Sequence, residues 1–69
     1  MDYSKVRGKR CELRITQKEM ANKLGIASPT YTNKENGKFE FTLLEAYKIC
    51  QIFGCKFEDI FLPKMSNKQ

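Results

Sequence analysis

A glycine between two short helical segments is the feature that most limits how this chain can fold. The first segment opens with Thr16 and Glu19, a capping-box pair in which the threonine hydroxyl and the glutamate carboxylate each accept a backbone N–H. Apolar residues at helical spacing follow: Met20, Ala21 and Leu24. Gly25 comes next, where a helix needs a left-handed residue without a Cβ atom, so we expect the helix to end there.

A second helix start follows three residues after that glycine. Ser28-Pro29 places a preferred N-cap residue before a proline at the first helical position, and Asn36-Gly37 marks the end after about Glu35. A connection as short as Gly25-Ile26-Ala27 sets two helices at a steep angle, which predicts a helix-turn-helix unit. Tyr31 is its main inward contact, and three short polar residues are left facing outward: Thr30, Thr32 and Asn33.

Helical spacing predicts three further helices. Their expected spans are Ser4, as a cap, to Glu12 or Leu13; the cap Thr42 to Gly54; and about Phe57 to Phe61. In the first of these, Val6, Arg10 and Leu13 are expected to share one side. The fourth helix is apolar nearly all round, so we expect it to be the most buried. A chain of 69 residues has room for one domain, predicted here as a compact five-helix all-α domain over 1–69, with a core at about 4–62 and a polar, frayed tail at 63–69.

The residue types present exclude most enzyme chemistry. The sequence has no histidine, which is the commonest general base and zinc ligand, and its three cysteines include no Cys-x-x-Cys pair. No nucleophile–base pair and no glycine-rich phosphate loop can be found. Apolar runs are too short to cross a membrane, and the first residues lack a signal-peptide core. We therefore expect a cytoplasmic protein with reduced thiols that is not an enzyme and has no metal, cofactor or small-molecule ligand.

Positive charge is concentrated in the first half of the chain. The formal net charge is +5, and residues 1–38 carry nine basic and four acidic side chains, whereas residues 39–69 carry four of each. A basic face on a small domain favours a polyanionic partner, with nucleic acid as the first candidate.

Residues in register along nearly the whole chain identify a family. They are Arg10, Thr16-Gln17, Met20-Ala21, Leu24-Gly25-Ile26, Tyr31, Glu35-Asn36-Gly37-Lys38, Ala46, Phe53-Gly54 and Phe57-Glu58-Asp59-Ile60-Phe61. With this pattern the chain resembles the DNA-binding domains of lambdoid phage repressors and Cro proteins, the xenobiotic-response-element class of helix-turn-helix regulators. The resemblance implies a compact repressor-like domain whose third helix is the recognition helix.

The resemblance also implies roles for single residues. Helix 3 would approach bases in the major groove with Ser28, Pro29, Thr32 and Asn33. Phosphates would be bound by Gln17 at the start of helix 2 and by Asn36 and Lys38 after helix 3. Arg10 and Glu35 would form a partly buried ion pair that joins helix 1 to the end of helix 3.

Several of these residues have a plainer structural interpretation as well. Gln17 and Asn33 can be ordinary polar residues of a helix surface, and Ser28 can use its hydroxyl as a helix cap instead of on DNA. Lys9 and Arg14 either contact phosphate or only keep the domain soluble. Phe39 and Phe41 are expected to pack against the core or approach a partner rather than stack on bases.

Three residues depart from the family pattern. Lys34 stands where an apolar residue usually packs helix 3 inward, so the lysine must snorkel or tilt the helix. Pro29 replaces a polar base-reading residue and is left able to touch a thymine methyl group. Glu40 places a negative charge near the expected phosphates.

These observations predict a sequence-specific regulator of transcription that binds double-stranded DNA, of phage or mobile-element repressor type. We expect it to act as a homodimer on a near-palindromic operator, with half-sites about 34 Å apart. Its dimer contact would use apolar side chains of helices 4 and 5: Leu44, Ile52, Phe57 and Phe61. The alternative is an antitoxin-like or anti-regulator module that has the same fold but mainly binds another protein.

Overall fold

The computed structural model describes residues 2–61, and this part of the chain forms five α-helices and no strand. The helices are α1 (Ser4–Glu12), α2 (Gln17–Leu24), α3 (Ser28–Glu35), α4 (Leu43–Phe53) and α5 (Phe57–Ile60). The predicted all-α, five-helix architecture is confirmed. The predicted tail at 63–69 lies outside the described residues.

The α2–α3 unit has the predicted local geometry. Thr16 Oγ1 accepts the backbone N–H of Glu19 at 3.0 Å, while the Glu19 carboxylate accepts that of Thr16 at 2.8 Å. Gly25 ends α2 with φ at +74°, a conformation that side chains with a Cβ atom rarely adopt. The next helix packs directly against α2, and α1 also contacts it.

Both serines predicted to cap a helix lie inside the helix instead. The N-cap of α3 is Ala27, whose extended backbone presents its carbonyl oxygen to the N–H of Tyr31 at 3.0 Å. Ser28 is thus the first helical residue and Pro29 the second. The first four N–H groups of a helix have no partner within it, so proline is tolerated at either position. Similarly, Tyr3 is the N-cap of α1, and the N–H of Ser4 is bound by the Asp2 carboxylate.

The core is made of buried side chains of α1 to α4, together with Tyr3 before α1 and Phe61 after α5. Its largest fully buried side chains are Tyr31, Met20, Ile49 and Val6. Tyr3, which helical spacing did not place in the core, is buried against the rings of Phe41 and Phe61, with ring centroids 4.8 and 6.1 Å away. Leu13, expected to share one side of α1 with Val6 and Arg10, is the C-cap residue of the helix and is exposed. The packing expected of Phe41 is found, whereas Phe39 is exposed.

The fourth helix is buried on one side only. Thr42 caps it as predicted, and Glu45 completes a capping box there. Ala46, Ile49, Cys50 and Phe53 face the core, whereas Leu43, Leu44 and Tyr47 are more than half exposed. The helix thus has more buried side chains than any other described helix, as expected of the most buried one, but its apolar residues are not all covered. The expected dimer surface also changes, because Phe61 is only 5% exposed and belongs to the core.

The side chain of Lys34 is paired with a carboxylate instead of extending into solvent. Its ammonium group donates to both carboxylate oxygens of Glu45, at 2.7 and 2.9 Å, and each side chain is only 13% exposed. Glu45 also accepts the backbone N–H of Thr42 at 2.9 Å. The end of α3 is thus tied to the start of α4 by a shielded ion pair, which explains how a lysine is accommodated at this position.

Within residues 2–61, no helix is both long enough and apolar enough to cross a membrane.

Candidate nucleic-acid interface

The third helix has a fixed inner side and an open outer side. Tyr31 and Glu35, four residues apart, are both buried against the rest of the domain. Pro29 and Thr30 are exposed, and Thr32 and Asn33 are partly exposed. The outward side predicted from the sequence is therefore the side that faces solvent.

A single buried carboxylate holds three helices together behind this surface. Glu35, 2% exposed, accepts hydrogen bonds from Arg10 Nε at 2.8 Å and from a second guanidinium nitrogen of Arg10 at 3.2 Å. The Tyr31 hydroxyl donates to it at 2.7 Å, and Gln17 Nε2 at 2.9 Å. Arg10 also donates to the carbonyl oxygen of Ile15 at 2.9 Å. This cluster joins α1, α2 and α3 and fixes the rotation of the third helix about its axis.

The protonation state of this carboxylate follows from its partners. Burial raises the pKa of Glu35, but the hydrogen bonds from Arg10, Gln17 and Tyr31 outweigh burial and hold the pKa below its ordinary value of 4.5. Burial beside this carboxylate raises the pKa of the Tyr31 hydroxyl, which therefore stays a donor. The ion pair is charged at neutral pH.

Two side chains predicted to contact DNA are bonded to each other. The Thr32 hydroxyl donates to Gln17 Oε1 at 3.1 Å, while the amide nitrogen of the same Gln17 donates to Glu35. Gln17 thus bridges α2 and α3 through its side chain. It lies at the first position of α2, where backbone N–H groups remain open to an anion.

The residue after the third helix is held by Arg7, which is not among the predicted site residues. Asn36 Oδ1 accepts a hydrogen bond from Arg7 at 2.8 Å, and the Arg7 side chain is 53% exposed. Arg7 Nε also lies 3.8 Å from Glu35 Oε1. Arg7 lies three residues before Arg10, and residues at this spacing share a helix face. This spacing is the feature of the sequence from which its role could have been predicted.

The remaining predicted residues lie around this surface without joining one cluster. Ser28 is partly buried at the start of α3, and Lys38 is exposed, with its backbone N–H bound to the Asn33 carbonyl oxygen at 2.9 Å. Lys9 pairs with Glu12 on its own helix at 3.6 Å. Arg14 is exposed in the turn after α1, with φ at +59°. Glu40 accepts a hydrogen bond from the buried Tyr3 hydroxyl.

The amide of Asn33 is the group of the outer side best placed for a hydrogen-bonding ligand. Among residues 2–61, no side-chain or backbone group forms a hydrogen bond with this amide. A carboxamide offers a donor and an acceptor side by side, the pair that matches the major-groove edge of adenine.

The described residues contain no group of three His, Cys, Asp or Glu side chains that could hold a metal. All three cysteines are free, and burial raises the pKa of the Cys50 thiol to about 11.

Comparisons with known proteins agree with this geometry. A family model described as Helix-turn-helix, of the Cro/C1 type, matches residues 6–60. An uncharacterized HTH-type transcriptional regulator of Methanocaldococcus jannaschii is 44% identical over 48 residues, which cover 70% of this chain and 73% of that protein. Another from Archaeoglobus fulgidus is 40% identical over 53 residues (77% and 75%), and YgzD of Bacillus subtilis, also an uncharacterized HTH-type transcriptional regulator, is 33% identical over 64 residues (93% and 97%).

The fold also matches a solved structure. The crystal structure of the clp gene regulator ClgR from C. glutamicum superimposes with a TM-score of 0.76, covering 96% of this chain and 86% of that one. The sequence identity is 17%, so this likeness concerns the fold alone.

The buried carboxylate generates a stability prediction. Glu35→Gln keeps the shape of the side chain but leaves Arg10 without its counter-charge, which we expect to lower the free energy of unfolding at pH 7 by about 3–5 kcal/mol. Because the folded-state pKa of Glu35 is depressed, its contribution is complete above the ordinary value and is lost as the pH falls through the folded-state value. Urea unfolding from about pH 7 down to pH 3 measures both effects.

Glu12→Gln is the matched control, because Glu12 forms an exposed pair with Lys9 and its loss should change stability by less than about 1 kcal/mol. Equal stability of Glu35→Gln and the wild type at pH 7 would contradict the structural role assigned to this cluster.

Proposed function

This chain belongs to the helix-turn-helix family, and from that membership we propose that it is a transcriptional regulator that represses its target by placing α3 in the major groove of operator DNA. The coarser part, a DNA-binding regulator of transcription that is not an enzyme, rests on the family and on relatives that carry that description. The proposal that α3 enters the major groove is supported by one observation. The outer side of α3 is open to solvent, while Glu35 and Tyr31 fix its inner side.

Sequence would be read from that outer side. Asn33 pairs its open amide with adenine, and Ser28, Pro29 and Thr32 lie along the same helix toward the groove. A single α3 contacts few base pairs, so selectivity from one domain is limited.

Phosphates would be bound on both flanks of α3. The first turn of α2, with Gln17, supplies backbone N–H groups to one phosphate. Asn36 and Lys38 bind the backbone at the other end of the recognition helix, and Lys9 and Arg14 add to the basic flank. We add Arg7 to this set, because its half-exposed guanidinium lies against Asn36 and has further N–H groups to donate.

Pairing of two domains would provide the missing selectivity. Leu43, Leu44 and Tyr47 are exposed on α4, and the Tyr47 ring lies 5.3 Å from that of the partly buried Phe57. We propose that this apolar surface is the homodimer contact when two copies bind a near-palindromic operator. The protein would act in the cytoplasm, where the promoter DNA is found. It replaces the surface expected from the sequence, since Phe61 is buried.

A second function is favoured by that same surface. Three large exposed apolar side chains on one helix also suit an antitoxin-like or anti-regulator module that binds another protein. The two functions differ in their dependence on salt, because phosphate contacts release counterions and apolar contacts do not.

The salt dependence of duplex binding tests the proposed function. Operator duplexes are first selected from random sequence, and the dissociation constant is then measured from about 50 to 200 mM salt, where several phosphate contacts predict a steep loss of affinity. Lys38→Ala should weaken binding to all duplexes alike and lower the slope of the log–log salt plot by about 0.9. Lys56→Ala, which removes an exposed lysine next to α5, should leave the slope unchanged. Affinity that is flat with salt would support the protein-binding alternative.

Base recognition by Asn33 is tested separately. Asn33→Ala should cost about 1–3 kcal/mol of binding free energy on the selected operator and relax the preference at one base pair. Gln51→Ala removes an exposed amide from α4 and should have no effect. Uniform weakening of Asn33→Ala on all sequences, measured by competition with single-base operator variants, would show that Asn33 does not read a base.

A further inference from the structure

The hydroxyl of Thr32 is committed inside the protein. It donates its single proton to Gln17 Oε1 at 3.1 Å, and the Gln17 amide is itself oriented by its bond to Glu35 Oε1 at 2.9 Å. That carboxylate is fixed in turn by Arg10 and Tyr31. The direction of the Thr32 proton is therefore set by a chain of hydrogen bonds that ends in the buried cluster. Turning the proton to a base edge would leave Gln17 Oε1 without its donor.

Thr32 therefore has no hydrogen-bond donor left for DNA, and it can offer its methyl group and the acceptor lone pairs of Oγ1. With Oγ1 directed at α2, the methyl carbon occupies a different staggered position about the Cα–Cβ bond. Pro29 lies three residues earlier on α3, so the two side chains share one helix face. Pro29 is exposed and has neither a polar side-chain atom nor a backbone N–H. The surface made by Pro29 and Thr32 thus presents C–H groups where hydrogen-bond donors would otherwise be expected.

We infer that Pro29 and Thr32 recognise thymine by contact with its 5-methyl group, beside the hydrogen-bonding position of Asn33. This inference rests on the proposed function. In the major groove the methyl group distinguishes thymine from cytosine, and apolar atoms, including the methyl group of threonine, are its usual contacts. Base pairs stack about 3.4 Å apart and residues three apart on a helix about 5–6 Å apart, so the pair spans one or two adjacent base pairs.

Removing single methyl groups from the DNA tests the inference without altering the protein. In the selected operator, each thymine is replaced in turn by deoxyuridine, which keeps every hydrogen-bonding group. We expect one or two substitutions per half-site to weaken binding about three- to fivefold, the effect of losing one buried methyl group. All other substitutions should have little effect.

Two variants then separate the methyl group of Thr32 from its hydroxyl. Thr32→Val keeps the methyl group and should preserve the ratio of affinities for thymine and deoxyuridine duplexes. Thr32→Ser keeps the hydroxyl and should bring that ratio close to one at one position. The ratio compares two duplexes with the same protein, so a change in the folded fraction of a variant does not affect it.

The outcomes distinguish this inference from the proposed function. Selective binding by the wild type with no loss at any deoxyuridine overturns methyl recognition and leaves the proposed function standing. A ratio that is preserved in Thr32→Ser but lost in Thr32→Val overturns it too, because the hydroxyl would then be the reading group. Failure of the wild type to bind any duplex in a salt-dependent way would contradict both the proposed function and the recognition of thymine methyl groups.

Discussion

The buried Glu35 carboxylate is the interaction on which the arrangement of this domain depends. It accepts from the Arg10 guanidinium on α1, from the Gln17 amide on α2 and from the Tyr31 hydroxyl on its own helix. A charge buried to this degree is tolerated only where hydrogen bonds replace its lost water. Because those bonds come from two other helices, the position and the rotation of α3 are set together.

This constraint divides α3 into two sides with different tasks. Tyr31 and Glu35, on the inner side, are buried against the rest of the domain. Thr32 joins the same hydrogen-bond network through its bond to Gln17. Among the described residues, the Asn33 amide and the exposed Thr30 hydroxyl are left open to a hydrogen-bonding partner on the outer side. The Lys34–Glu45 pair fastens the end of the helix to α4. A helix held in this way by its second half would lose little conformational freedom on binding a ligand.

The sequence predicts the elements well because their signals are local. The capping box at the start of α2, the Thr42 cap of α4, the glycine at position 25 and the apolar spacing of α2 act within one or two turns of helix. The structure has each of them. What the sequence could not supply depends on distant partners: the burial of Tyr3 against Phe61, the pairing of Lys34 with Glu45, and the bond from Arg7 to Asn36. The helix starts at Ser4 and Ser28 were missed by one residue, since the serine pattern fits a cap and a first turn equally.

The proposed function depends most on contact between the outer side of α3 and DNA. Amide chemical-shift mapping of the ¹⁵N-labelled protein with a selected duplex measures that contact residue by residue. We expect the largest changes at residues 28–33, at the side-chain amide of Asn33 and at the first turn of α2. A duplex that leaves these signals in place while shifting those of residues 43–47 on α4 would contradict it.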